Sequence, residues 1–474
     1  MDILLIDPPY SALKGVSTDC GYNIALTSLA AYLRQGGIET GILMGDLLID
    51  FKSADGWLNT SLEDYAAATR NYEMILNDNN HIVWGKIVEF IGQQKPLIVG
   101  ISFLTPLSSS VEKVARLVKE NYPDIKVVVG SCHPTFCPDE VMQNKDIDFV
   151  ITGEGEIPLL ALARELKKQK QISENVPCLY YRNKEGQIKH NPGVALIHNL
   201  DELPFLARDL VLNCNYDTYR VHCLSTARGC PYLCSFCADK KFWEGKVRRR
   251  SVDNVIRELK LIEEKYKVDF VDFDDGTFTY DKKYLQTFCN SLINEKLTIK
   301  WRCTARYDNL DEDLLKLMKR ANCCGLYFGL ESGSDRILKS VNKNTTVEQI
   351  IRVSEMVYNS GIPSVTSVLL GLPNESKEDM KETINLMQTI KTDIFDVNSY
   401  IPLPGSPLWD EMKTEEKKKI DWRKSAYKSF DNYFSKKISH QDFKSVLSQA
   451  YKIANTVQLK TMARYKSAIG IDEK

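Results

Sequence analysis

Short apolar runs of four to eight residues, each closed by Gly, Pro, Ser or Thr, recur along this 474-residue chain with helically spaced segments between them. Runs that short and that uniformly apolar are strands buried on both faces, as in parallel sheets covered by helices. They come in two blocks. In the first, strands are expected at 3–7, 41–44, 97–104, 127–130 and 148–153, with helices at 25–37, 109–120 and 157–168, which predicts a doubly wound, flavodoxin-like α/β sheet. Ligands of such sheets bind beyond the carboxyl ends of the strands, and the segments there read DPPYS, SFLTPLSS, GSCHPT and TGEGE. About 50 residues, 46–95, separate the second and third strands, more than an ordinary connection, so a helical insertion is expected there. A hairpin around NKEGQ within 176–198 completes a first domain, 1–198, and a linker, 199–218, follows.

In the second block strands are expected at 221–226, 268–275, 299–305, 324–331, 364–371 and 395–400. Six strand-helix units in about 190 residues predict a partial (β/α)6 barrel of the TIM type, because a full eightfold barrel takes about 250. Functional residues of a barrel sit at the carboxyl ends of its strands, which here read ARGCPYLCSFC, DDGTF, ARYD, ESGS, GLPNES and IPLPGSP. The barrel is expected over 219–410, and a helical, basic C-terminal region over 411–474, where 15 Lys and Arg stand against 8 Asp and Glu.

Net charge is −1, which gives no global electrostatic case for a nucleic-acid partner. No run is apolar and long enough to cross a membrane, so no transmembrane segment is expected. MDILLIDPPY has no basic stretch leading into a long apolar one, so no export signal is read and a cytoplasmic location is expected. Thirteen cysteines, an odd number, then stay as thiols in a reducing compartment.

Cys230, Cys234 and Cys237 lie within eight positions on a loop punctuated by Gly229 and Pro231. A disulfide, a zinc site and an iron–sulfur cluster are the three explanations for such crowding. Structural zinc takes four protein ligands, commonly as two separated cysteine pairs. No second pair stands here, although Cys223, Cys323 and Cys324 lie elsewhere on strands. The CxxxCxxC spacing fits a four-iron cluster held by three thiolates, one iron remaining open to a chelating ligand.

CPYLCSFC, with DDGTF, GLESGS, GLPNES and YIPLPGSPLW, resembles the radical S-adenosylmethionine enzymes from residue 221 to about 410. LLIDPPYS, VGISFLT, GSCHPTF and TGEGE are similar to the cobalamin-binding domain fused to one branch of that superfamily. The resemblance implies a [4Fe–4S] cluster on Cys230, Cys234 and Cys237, with S-adenosylmethionine chelating the open iron. It implies that Phe236 touches the adenine, that Asp274 and Asp275 receive the methionine amino group and that Arg306 pairs with a carboxylate. Glu331 would contact the ribose, and Gly371 and Pro373 would shape the backbone beside the adenine. Ordinary structural roles compete with these: a helix N-cap for the Asp pair, a salt bridge for Arg306, an ion pair for Glu331 and a turn for Gly371 and Pro373.

Cobalamin would lie against Ser102, Thr105, Gly130, Ser131, His133, Thr135, Gly153 and Glu154, small residues allowing close approach to a large flat ring. The DxHxxG pattern of another cobalamin carrier type is absent, so cobalamin is expected to bind without a histidine on cobalt, His133 acting as a hydrogen-bonding residue. The resemblance implies that the cluster generates a 5′-deoxyadenosyl radical and that cobalamin supplies a methyl group to an unactivated carbon of a small-molecule, peptide or lipid substrate. The alternative is a radical cyclisation, rearrangement or epimerisation with cobalamin in another role or absent; a remoter one is a non-catalytic zinc-binding module. A methylthiotransferase would need a second cysteine triplet in the first domain, which Cys20, Cys132, Cys137 and Cys178 do not form. The reductive step implies an electron donor such as a flavodoxin or ferredoxin.

Overall fold

The computed structural model describes residues 1–14, 23–49, 62–168, 175–214, 221–268, 270–422 and 433–469. Two compact units are present, Met1–Gly56 with Ala67–Tyr216 and Asp421–Arg423, and Trp57–Ala66 with Asp217–Ile420 and Lys424–Lys474.

In the first unit, β1 (Ile3–Asp7), β2 (Thr40–Met44), β3 (Ile98–Ser102), β4 (Lys126–Gly130) and β5 (Phe149–Ile151) form a parallel sheet in the order β2-β1-β3-β4-β5. This is the doubly wound order expected of a flavodoxin-like fold. Ile3, Leu4, Leu5 and Ile6 are all at most 1% exposed because both faces are covered. Trp84, Ile87, Val111, Val114 and Val118 pack with Leu4 and Ile6 on one face, and Leu26, Ala30, Leu33, Leu159 and Leu162 with Ile3 and Leu5 on the other. Each fully buried aliphatic side chain contributes roughly 1.5–3 kcal/mol.

The expected hairpin, β6 (Leu179–Arg182) and β7 (Ile188–Asn191), pairs antiparallel with β5 and widens the sheet to seven strands. Within the expected insertion, residues 50–61 lie outside the described ones; helices Leu62–Asn77 and Ile82–Gln94 follow. The second of these is an ordinary crossover helix, its Val83, Trp84, Ile87 and Ile91 sunk in the core.

In the second unit, β8 (Val221–Leu224), β9 (Phe270–Phe273), β10 (Lys300–Ala305), β11 (Cys323–Glu331), β12 (Ser364–Leu370) and β13 (Ile394–Ser399) pair in parallel and in chain order, giving an open, partial barrel. The helix His440–Ile469 packs along β13: Tyr451 donates to Val397 O at 2.9 Å, and Arg464 pairs with Asp393 at 3.0 Å. It thereby covers a strand edge that would otherwise offer unpaired backbone groups. No helix among the described residues is long and apolar enough to cross a membrane.

Candidate active site

β8 ends at Leu224, and Ala227–Arg228 then forms a two-residue antiparallel ladder with Arg248–Arg249. Gly229, at φ +100°, follows; a Cβ there would lie 2.2 Å from Lys246 O, so only glycine allows the chain to turn into the cysteine loop. Cys230, Cys234 and Cys237 are half-buried thiols outside any disulfide. The Asp239 N–H donates to Cys237 Sγ at 3.5 Å, and Cys230 Sγ lies 3.5 Å from Thr277 Oγ1. Burial raises the Cys234 thiol and pushes Cys237 up to about 12; the Cys237 thiolate also feels the charges of Asp239, Cys234 and Cys230. A bound cationic metal centre inverts that preference and stabilises thiolates. Among the described residues no three His, Cys, Asp or Glu side chains converge on a point that one ion could occupy. Three thiols on one loop, with a backbone donor on one sulfur, fit a cuboidal iron–sulfur cluster.

The paired aspartates after β9 divide. Asp275, 3% exposed, is consumed within the protein: its Oδ1 accepts from the Thr226 N–H at 2.6 Å, the Ala227 N–H at 3.1 Å and the Ser225 hydroxyl at 2.9 Å, its Oδ2 accepts from the Thr226 hydroxyl, and Arg249 stands 4.0 Å away. It braces the segment leading to the cysteines, and it is not a helix cap, since the next helix, Lys282–Asn294, is capped by Asp281. Asp274 is open to solvent at the strand end, its carboxyl raised by the desolvating mass of surrounding protein and by Asp272 and Asp275.

Arg306, 3% exposed, is not a surface group. Its Nε and NH2 fork onto Asp308 at 2.9 Å each, NH2 also donates to Lys343 O at 2.5 Å, and its face lies 3.7 Å over the Tyr232 ring between Cys230 and Cys234. Glu331 is also ion-paired, its Oε1 2.7 Å from Lys343 Nζ, on a non-glycine backbone at φ +67°. Lys343, absent from the expectations, sits in the polar turn VNKNTT with no periodicity to mark it.

Phe236 is half-buried against a cluster of Ile337, Val341, Leu372, Tyr400 and Leu408, a surface an adenine ring could share. Gly371 turns at φ +90° with its N–H on Glu375 Oε2 at 2.7 Å, and the Pro373 carbonyl accepts from the Lys436 N–H at 3.1 Å.

In the first unit, the loops after β3, β4 and β5 meet at one edge. His133, 3% exposed, stacks on Phe103 with centroids 4.6 Å apart, places Nδ1 3.1 Å from Thr105 Oγ1 and meets the Trp422 ring edge-on at 5.9 Å. Burial pushes its imidazole down to about 4. Thr135 joins two loops, donating to Ser131 O at 2.7 Å and accepting from the Gly153 N–H at 2.9 Å. Ser131 at φ +97° and Gly153 at φ +71° are left-handed turns, Ser102 and Thr105 are buried, and Gly130 ends β4. Glu154 is committed to the Ile197 N–H at 2.6 Å. Small side chains and hydroxyls at this edge suit a large flat ligand, and the enclosed His133 suits a binding mode without imidazole on the metal. Phe103 and Trp422 are the members that sequence reasoning missed, the second because it lies some 290 residues further along the chain.

The profile of the Radical SAM superfamily matches residues 224–387 and that of the B12 binding domain residues 10–163. The chain is 29% identical over 457 residues to an uncharacterised methyltransferase of Pyrococcus horikoshii, covering 95% of this chain and 92% of the other. It is 30% identical over 342 residues to the anaerobic magnesium-protoporphyrin IX monomethyl ester cyclase of Rubrivivax gelatinosus, covering 70% and 61%. The structure of the radical S-adenosylmethionine methyltransferase TsrM of Kitasatospora setae, with cobalamin and a [4Fe–4S] cluster bound, shares the fold at a TM-score of 0.64 and 15% identity, covering 86% of this chain and 74% of that one. The chain therefore carries a radical S-adenosylmethionine domain and a B12-binding domain and is a radical S-adenosylmethionine enzyme, the two domains implying a [4Fe–4S] cluster, S-adenosylmethionine and cobalamin as its cofactors.

Proposed function

We propose that the enzyme transfers a methyl group to an unactivated carbon. The observation that carries the reading is the presence of a B12-binding domain and a radical S-adenosylmethionine domain in one chain. When bound, the cluster, S-adenosylmethionine and cobalamin together supply an electron, a hydrogen-abstracting radical and a methyl donor.

The chain's own residues hold and orient. Cys230, Cys234 and Cys237 would hold three irons, leaving one for S-adenosylmethionine. Asp274, open at the end of β9, suits its ammonium, while Asp275 keeps the cysteine loop in place from below. Phe236 and the Gly371–Pro373 turn would offer the adenine an apolar wall. In the first unit Ser102, Thr105, Gly130, Ser131, Thr135 and Gly153 would line the corrin, with His133 kept neutral and turned to Thr105. A flavodoxin or ferredoxin would deliver the electron.

Anaerobic reconstitution with iron, sulfide and cobalamin, followed by assay of the S-adenosylmethionine products, tests this. Methyl transfer yields 5′-deoxyadenosine, S-adenosylhomocysteine and a methylated product; 5′-deoxyadenosine alone refutes it. The cyclase relative favours a second reading, a radical ring closure, which would give a product without an added methyl.

A further inference from the structure

Residues of the barrel strands alternate between two faces. Phe273 and Trp301 point to the covering helices, each meeting Phe288 of the helix Lys282–Asn294 with centroids 5.5 and 5.4 Å apart. Val271, Phe273, Trp301, Cys303, Phe328, Val368 and Val397 are at most 2% exposed on that side. The opposite face lines the lumen. Its lowest layer is apolar, with Phe270, Cys324, Val365 and Ile394 packed around Tyr465 of the C-terminal helix.

Above that layer lies a polar one two residues deep, formed by Asp272, Arg302, Tyr327, Ser367, Asp396 and Asn398, all only half-buried. Arg302 donates to Asp272 Oδ2 at 2.6 Å and to the Tyr465 hydroxyl at 3.1 Å. The Tyr327 hydroxyl donates to Asp396 at 2.5 Å, and Asn398 Nδ2 donates to Asp396 at 3.0 Å and to Ser367 at 3.2 Å. These bonds use Nδ2 of Asn398 and Oδ2 of Asp272, leaving Oδ1 of each on the partly open side. A closed barrel fills this position with branched apolar side chains. Here polar groups line it and stay partly open; Asp272, Tyr327 and Asn398 stand two residues, and so about 7 Å along their strands, before Asp274, Gly329 and Tyr400.

We propose that this layer is the substrate subsite, and that the substrate is a hydrophilic small molecule bearing several hydroxyl or amine groups rather than a tetrapyrrole or a lipid. This rests on the reading of the chain as a radical enzyme acting at the barrel mouth. The Asn398 amide oxygen and the Asp272 carboxylate oxygen face the partly open lumen, so a ligand that displaces water from them must supply donors, and an apolar one would leave them desolvated and unpaired, which is costly.

The test is ultrafiltration binding to the protein loaded with cluster and cobalamin, using labelled glucosamine, cytidine and arginine against magnesium-protoporphyrin IX monomethyl ester and palmitate. Binding of at least one hydrophilic probe, weakened about tenfold by Asn398→Leu or by the milder Tyr327→Phe, is expected for loss of a ligand-facing polar group. Binding of the apolar probes alone, of no hydrophilic probe, or of one whose affinity both substitutions leave unchanged overturns the proposal. Should Asn398→Leu not fold by circular dichroism, Tyr327→Phe decides. Failure of the enzymatic reading itself shows separately, as absence of 5′-deoxyadenosine from the unsubstituted protein with dithionite and no probe.

Discussion

Glu331 and Lys343 form a buried ion pair, Oε1 to Nζ 2.7 Å, with neither side chain more than 10% exposed. Gly329 makes room for it, since a Cβ there would fall 2.2 Å from Glu331 Oε1 and 2.7 Å from Lys343 Nζ. The pair stands near Cys234, Lys343 favouring its thiolate and Glu331 opposing it. Lys343→Met would strand a buried carboxylate, at a cost of about 3–5 kcal/mol, and removing both charges with Glu331→Gln should restore much of that. Urea unfolding of the single and double variants measures it; a double variant no better than the single one would show that the charges are not coupled.

The two aspartates of DDGTF should separate in experiment as they do in space. Asp275→Ala removes the acceptor for the Thr226 and Ala227 N–H groups and leaves Arg249 without its nearby carboxylate. Reconstituted protein should then carry markedly less iron and sulfide. Asp274→Asn leaves that brace intact, so iron content should hold while S-adenosylmethionine binds about tenfold more weakly, the scale of one charge-assisted hydrogen bond. The opposite assignment of losses would exchange the two roles.

The strands were legible because burial on both faces writes unbroken apolar runs, and each parallel strand lies within two residues of its expected ends. What the runs could not show was where strand gives way to loop. VDFVDFDD reads as one run, yet β9 stops at Phe273, and that stop decides which of two chemically identical neighbours turns inward. Lys343 was hidden because its partner lies twelve residues away through a turn, a distance no helical or strand period marks. The C-terminal region reads as helical and basic, while its role depends on Tyr451 and Tyr465 meeting particular atoms of β13 and β10 and on Arg464 meeting Asp393 just before β13.

His133 predicts an acid limit to stability. Its imidazole is held at about 4 in the fold, against an ordinary 6.5. Below 6.5 the unfolded chain takes up a proton that the folded one refuses, so stability is complete above that pH and falls as pH drops toward 4, by about 3 kcal/mol in all. Denaturant titrations between pH 7.5 and pH 4 should show the slope in the native protein and a shallower one in His133→Phe. Equal slopes would show that His133 protonates freely in the fold.

Glu375 should act in the opposite direction. It is fully buried beneath the turn at Gly371, its Oε2 accepting from the Gly371 N–H at 2.7 Å and the Leu372 N–H at 3.2 Å. Burial pushes its carboxyl up to about 8 from an ordinary 4.5, so the fold keeps a proton that the unfolded chain has released. The resulting stability is complete below 4.5 and is lost as pH rises through 8. Glu375→Gln presents the same acceptor without a proton to lose, and so should flatten the decline between pH 6 and pH 8.5 while keeping S-adenosylmethionine affinity. Glu375→Leu frees both N–H groups of the turn and should weaken that affinity, the readout that separates a positioning role from a purely charge-related one. Parallel pH slopes in Glu375→Gln and the native protein would mean that the carboxyl is ionised in the fold, and that the turn is held by a charge rather than by a neutral acid.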